Sequence, residues 1–217
     1  MTHYDGRHTD LKNRINKHLK KLTKQDQDFD FYSAMTQADL IELKTVLADI
    51  NNVLTFKTTI TAANWLCNLF GLDTKTTKNI LKTVDQIKPN TKGFDIHILE
   101  PYKIIAEVKC ISPVNNGGKF GGAQWNSILD DFHKLKNGKG VLLDTSKYYK
   151  FLFLLDLGER TDQAITQLLK ISKGTSDKPL RANRHQVKEH IFLLTDTKKL
   201  ENLGLDKVYL KKIQLDE

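Results

Sequence analysis

Over the first 88 residues apolar positions recur every three to four places, and beyond them they alternate or run on without a break. The chain therefore predicts a helical region followed by an α/β one. Leu11, Ile15, Leu19 and Leu22 form one helical stripe, with Lys12, Arg14, Lys17, Lys20, Lys21 and Lys24 distributed around the remaining surface. Thr36 followed by Asp39 is an N-cap signal. Behind it Leu40, Leu43, Val46, Leu47, Ile50 and Leu54 keep helical spacing, which predicts a helix over 36–54. A third helix over 62–70 would stop at Gly71, and a fourth over 76–87 would end at Pro89.

After Pro89 the period becomes two. Phe94, Ile96 and Ile98 alternate with Asp95, His97 and Leu99. Glu100 and Pro101 supply a turn, and 103–111 returns as the second strand of an antiparallel hairpin. The loop SPVNNGGKFGG leads to an amphipathic helix over 123–135, with Trp125, Ile128, Leu129, Phe132 and Leu135 on its apolar face. FLFLLDL, from Phe151, is apolar without alternation, as in a central strand covered on both faces, and a crossover helix before it predicts pairing parallel to the second hairpin strand. A helix over 161–171, a basic loop, a strand from His190 and a last strand near 208–213 complete an α/β chain with no internal repeat.

The second hairpin strand carries two charges on one side. Glu107 and Lys109 are two residues apart and so point the same way, roughly 7 Å from each other at a rise of about 3.3 Å per residue. Ile104, Ala106 and Val108 take the opposite side, and Asp95, twelve positions before Glu107, is brought alongside by the hairpin itself. Two neighbouring carboxylates repel unless a cation neutralises them, and hard oxygen donors with water completing the shell suit Mg²⁺. A lysine beside such a centre can orient the attacking water or stabilise charge on phosphoryl oxygens. The same alternation also occurs as a cross-strand ion pair on an exposed face.

Asp95, a short hairpin, then Glu107-Val108-Lys109 resembles the PD-(D/E)xK nuclease superfamily, and the order helix, hairpin, crossover helix, central apolar strand resembles its common core over about residues 85–157. The family's proline has no clear counterpart, since Pro89 stands six residues before the aspartate and Gly93-Phe94 directly precede it. The resemblance implies a restriction-endonuclease-like core, a mixed central sheet flanked by helices. In that reading 1–88 is a helical N-terminal region of the same domain, for DNA contact or dimerisation, and 89–217 is the catalytic core. It further implies Asp95, Glu107 and Lys109 as catalytic residues, with Asp95, Glu107 and the Val108 main chain as ligands of Mg²⁺, for which Mn²⁺ would substitute. Glu42, in the leading helix, and Gln124, near the start of the helix after the strand, are accessory candidates.

Composition adds a direction to this picture. With 34 Lys and Arg against 26 Asp and Glu the formal charge is +8, and the sequence pI is near 9.3. Such a field attracts polyanions. A basic loop over 173–190 concentrates hydrogen-bonding groups. Arg181 and Arg184 can pair bidentately with guanine and Asn183 and Gln186 with adenine, while Lys178, Lys188 and, in the glycine-rich loop, Lys119 suit phosphate contact. That glycine loop is expected to be mobile. Cys67 and Cys110 make neither a disulfide framework nor a zinc cluster. The apolar runs are far too short to span a membrane, and the polar start MTHYDGRHTD lacks a signal-peptide core, which together predict a cytoplasmic chain without membrane contact.

The function expected on these grounds is that of a Mg²⁺-dependent type II restriction endonuclease. It would hydrolyse double-stranded DNA at a short sequence, act as a homodimer and be paired functionally with a cognate DNA methyltransferase. Two other functions remain open: another nuclease of the superfamily, in DNA repair or junction resolution, and a non-catalytic nucleic-acid-binding protein.

Overall fold

A computed structural model of the chain describes residues 3–24, 29–87, 93–114, 118–140, 142, 144–170, 188–194 and 200–215. Internal contacts divide the chain into two compact units, Met1–Ile50 and Asn51–Glu217.

In the first unit, helix α1 (His3–Thr23) is joined to a single turn, α2 (Phe31–Ala34). Asp30 links them: it caps α2 by accepting from Ser33 N at 3.1 Å, accepts from Asn16 Nδ2 at 2.9 Å, and forms an ion pair with Lys12. Of the predicted leucine stripe, Leu11 and Leu22 are exposed, while Ile15 and Leu19 are half-buried.

The helix predicted over 36–54 and the one over 62–70 are a single helix, α3 (Gln37–Leu69), of 33 residues. The Thr36 cap is present, with its Oγ1 accepting from Asp39 N at 3.2 Å. Threonines between the two apolar stretches argue for a break by propensity. In the structure, however, Thr55, Thr58 and Thr59 turn their hydroxyls back onto the carbonyls of Asn51, Leu54 and Thr55 at 2.9, 2.7 and 2.8 Å. No glycine or proline interrupts the run, so nothing in the backbone forces an end before Gly71, which takes the left-handed φ of 62°.

In the second unit, Asp73 caps α4 (Thr74–Asp85), accepting from the amides of Lys75 and Thr76 at 2.8 and 3.0 Å. The stop predicted at Pro89 lies outside the described residues. The hairpin follows as β1 (Ile96–Ile98) and β2 (Ile104–Lys109), antiparallel, with Ile96 opposite Ala106 and a cis Glu100-Pro101 peptide in its turn. Helix α5 (Gly122–Asn137) crosses over to β3 (Tyr149–Leu155), which pairs parallel to β2 as predicted. After α6 (Glu159–Leu169) come β4 (Ile191–Leu193) and β5 (Val208–Ile213), and β5 enters between β3 and β4. The result is a five-stranded mixed sheet in the order β1-β2-β3-β5-β4, all parallel except β1 and flanked by helices, with a helical N-terminal region. It has the mixed sheet and flanking helices expected from the sequence.

Each face of the sheet builds its own core. Ile104, Ala106, Val108, Phe151, Phe153 and Tyr209 pack with the second half of α3 and with α4 through Ala62, Ala63, Leu66, Cys67 and Val84. Trp65 meets Phe151 and Phe153 edge-on, with centroids 6.3 and 5.8 Å away. On the opposite face Ile105, Leu152, Leu154 and Leu210 pack with Ile128, Leu129, Phe132 and Leu135 of α5 and with Ala164, Ile165 and Leu168 of α6. Glu107 and Lys109, two and four residues beyond Ile105, share this second face at the carboxyl end of β2. In parallel sheets that end is where ligand sites form. Among the described residues no helix is long and apolar enough to cross a membrane.

Candidate active site

A cavity of about 410 Å³ opens at that end of β2. Its wall includes Asp95, Glu107, Val108 and Lys109 of the hairpin, Asp131 and Lys134 of α5, Lys139 just beyond α5, and Asn52, Thr55, Phe56 and Thr59 of α3. The Asp95, Glu107 and Lys109 side chains expected to act together are thus brought to one place.

Hairpin register explains the first contact. With Ile96 opposite Ala106, Asp95 falls opposite Glu107, one position before the first paired residue of β1. Its Oδ2 accepts from the Val108 N–H at 2.8 Å, doing the job a backbone carbonyl would do if β1 were longer. The Asp95 carboxylate is thereby fixed on the strand that carries Glu107.

Glu107 is buried, at 4% exposure. Burial in the sheet is the largest influence on its carboxyl, and the nearby Asp95 charge adds to it. A hydrogen bond from Lys139 Nζ to Oε1 at 2.6 Å pulls the other way, Asp131 pushes up again, and the carboxyl ends raised to about 8. Lys139 reaches the site from a short turn. Gly138 and Gly140 on either side of it take φ of 100° and 62°, conformations that glycine alone adopts easily, and its ammonium also sits 5.7 Å from the Phe94 ring centre.

Asp131 is the group that sequence reasoning missed. It is 2% exposed. Its Oδ2 stands 2.6 Å from Lys109 Nζ and its Oδ1 2.8 Å from Lys134 Nζ. The first contact is a charge contact, since no hydrogen bond of good geometry reaches Oδ2. A signal was present. Asp131 lies three residues after Ile128 and four before Leu135, on the apolar stripe of α5, where a carboxylate needs a partner. Lys134 and Lys139 were likewise not anticipated.

Other predicted residues fall elsewhere. Gln124 accepts from Gly121 N at 2.9 Å and donates from Nε2 to Ser112 O at 2.7 Å, closing the N-terminus of α5 and tying it to the loop after β2. Glu42 is exposed on α3 within the first unit. Lys119 is exposed. The described part of its glycine loop is anchored: Phe120 is buried, Arg160 Nη2 donates to Pro113 O at 2.8 Å, and Gly118 at φ 62° packs so tightly on α6 that a Cβ would come within 2.7 Å of Gln163 Oε1. Lys178, Arg181, Asn183, Arg184 and Gln186 lie outside the described residues, and Lys188 opens a 3-10 turn, Lys188–His190. His97 sets its ring 5.6 Å from that of Tyr148 and lines a separate depression beside α4.

Among the described residues no group of three or more His, Cys, Asp and Glu side chains is arranged to hold a metal ion. The donor set at hand is the pair Asp95 and Glu107, with the Val108 main chain at the same wall. It suits a hard cation that keeps several of its waters: both donors are carboxylates, one is buried, and burial, with the Asp95 charge added to it, holds a proton on Glu107 that a divalent ion would replace. No family model, no curated protein and no solved structure matches this chain.

Proposed function

We propose that the chain is a Mg²⁺-dependent endodeoxyribonuclease of the PD-(D/E)xK type that cuts double-stranded DNA at a short sequence, as type II restriction endonucleases do. The observation that carries this reading is the convergence of Asp95, Glu107 and Lys109 on one cavity at the carboxyl end of β2, with Asp95 fixed by the Val108 amide.

The chemistry divides among these residues. Asp95 and Glu107 would hold the divalent cation, which when bound lowers the pKa of a water and screens the phosphodiester. Lys109, whose side chain is 24% exposed, reaches the cavity as a cation able to hold a water or a phosphoryl oxygen in line with the scissile bond. Lys139 supplies a second positive charge against Glu107. The high net charge draws the polyanion in, and the basic segment 173–190 carries groups suited to base edges. One site per chain and two strands to cut favour a homodimer on a palindromic sequence, and a cognate methyltransferase would protect the host's own sites.

Digestion of unmethylated phage DNA by the purified chain tests the proposal. Discrete fragments are expected with Mg²⁺ or Mn²⁺. Ca²⁺ should support binding with little cutting, because its looser shell positions the water poorly. A smear or cleavage confined to branched DNA would move the function to structure-directed repair or resolution. Intact DNA under every metal, or full activity in excess chelator, overturns the nuclease assignment.

A further inference from the structure

We infer that Asp131 is the positioning residue that aims the Lys109 ammonium into the cavity, an inference that rests on the nuclease reading above. Asp131 stands outside the Asp95, Glu107, Lys109 set and comes from a different element, α5. Its neighbours along that helix, Ile128, Leu129, Phe132 and Leu135, are each no more than 2% exposed. A carboxylate set in such a wall needs cations to offset its burial, and two meet it.

The two cations have different parts. Lys134 is on the same helix, three residues on, and donates to Oδ1 at 2.8 Å, which fixes the rotation of the carboxylate. The other oxygen, Oδ2, is then turned toward β2 and lies 2.6 Å from Lys109 Nζ. A lysine on a four-carbon stem otherwise samples many rotamers, and a cation serving an in-line displacement has to be held before the phosphate arrives. Asp131 does this without touching the scissile group. It also offsets part of the positive charge of the wall, where Lys109, Lys134 and Lys139 stand together.

A buried ion pair with a purely structural role would have the same geometry and the same effect on labelling. The test therefore pairs labelling, which reports the contact, with a readout that such a role does not move, the cleavage rate at constant affinity. Trace acylation of the full metal-free chain with acetic anhydride, scored by mass spectrometry, reports how free each lysine amine is, with exposed Lys119 as internal standard. Asp131→Asn should raise Lys109 labelling severalfold relative to Lys119. In single-turnover cleavage the same variant should lose on the order of 10²-fold in rate, with duplex affinity in Ca²⁺ within twofold of wild type, and Asp131→Glu should recover most of the loss. Unchanged Lys109 labelling in a folded Asp131→Asn protein overturns the inference, as does a loss of affinity that matches the loss of rate. Should Asp131→Asn fail to fold, wild type alone serves: Lys109 should label severalfold more slowly than Lys119, and equal labelling also overturns the inference. A wild type that shows the labelling contrast with Asp131→Asn yet cuts nothing under any metal overturns the nuclease reading and with it the role, while leaving the contact.

Discussion

Replacing Asp95, Glu107 or Lys109 singly with alanine is expected to lower the rate of duplex cleavage by about 10³-fold or more in each case, while binding to the same duplex in Ca²⁺ survives within a few-fold. Removal of one preorganised transition-state contact commonly costs on the order of 10²–10³ in rate, and loss of a ligand also disturbs the cation that activates the water. The three changes act through different bonds. Asp95→Ala removes the acceptor of the Val108 N–H as well as a proposed donor to the cation, so it carries a small stability cost. Glu107→Ala leaves Lys139 without its hydrogen-bond acceptor in the cavity. Lys109→Ala leaves Asp131 with Lys134 as its remaining close cation. Duplex affinity should hold because in the proposed complex it would be spread over phosphate contacts along the DNA rather than concentrated at the scissile bond. Single-turnover assays beside filter binding separate the two quantities. Wild-type rates in all three variants would remove the active-site assignment.

The convergence of Asp95, Glu107 and Lys109 was legible because it depends on local rules alone. A period of two puts Glu107 and Lys109 on one side of β2, and a hairpin brings Asp95 back against Glu107 with no long-range assumption. The alternation of Ile104, Ala106 and Val108 toward the opposite core was readable for the same reason. What sequence did not show depends on side-chain choices and chain crossings. Whether Thr55, Thr58 and Thr59 end a helix or continue it is decided by hydroxyl bonds to the preceding turn, so the continuity of α3 was not evident. The insertion of β5 between β3 and β4 follows from packing over the whole sheet. Lys139 meets Glu107 across 32 residues of chain through the glycine turn after α5, a contact that no periodicity announces. Asp131 is the intermediate case. Its place on an apolar stripe announced that it must have a partner, but only the packing of α5 against β2 names Lys109 as that partner.

Metal-free protein should lose stability as the pH rises from about 4.5 to about 8, and Glu107→Gln should abolish that part of the loss. The folded carboxyl is raised to about 8 from 4.5. Between these values the folded chain keeps a proton that the unfolded chain has released, so stability falls with pH: the contribution is whole below 4.5 and gone once pH passes 8. The groups that set it are Asp95 and Asp131, which push the carboxyl up beside the effect of burial, and Lys139, which pulls it down. A glutamine in its place cannot ionise, yet its carbonyl still accepts from Lys139. At pH 9 the variant should therefore exceed wild type by on the order of 5 kcal/mol, with the two close together near pH 5. Urea unfolding in chelator at both pH values, taken as the difference between variant and wild type, cancels the titration of every other group. A difference that does not change with pH would show that Glu107 ionises freely where it stands. The same proton has to leave before Glu107 can hold a divalent cation, so Mg²⁺ added at pH 8 should stabilise wild type by mass action and leave Glu107→Gln nearly unmoved.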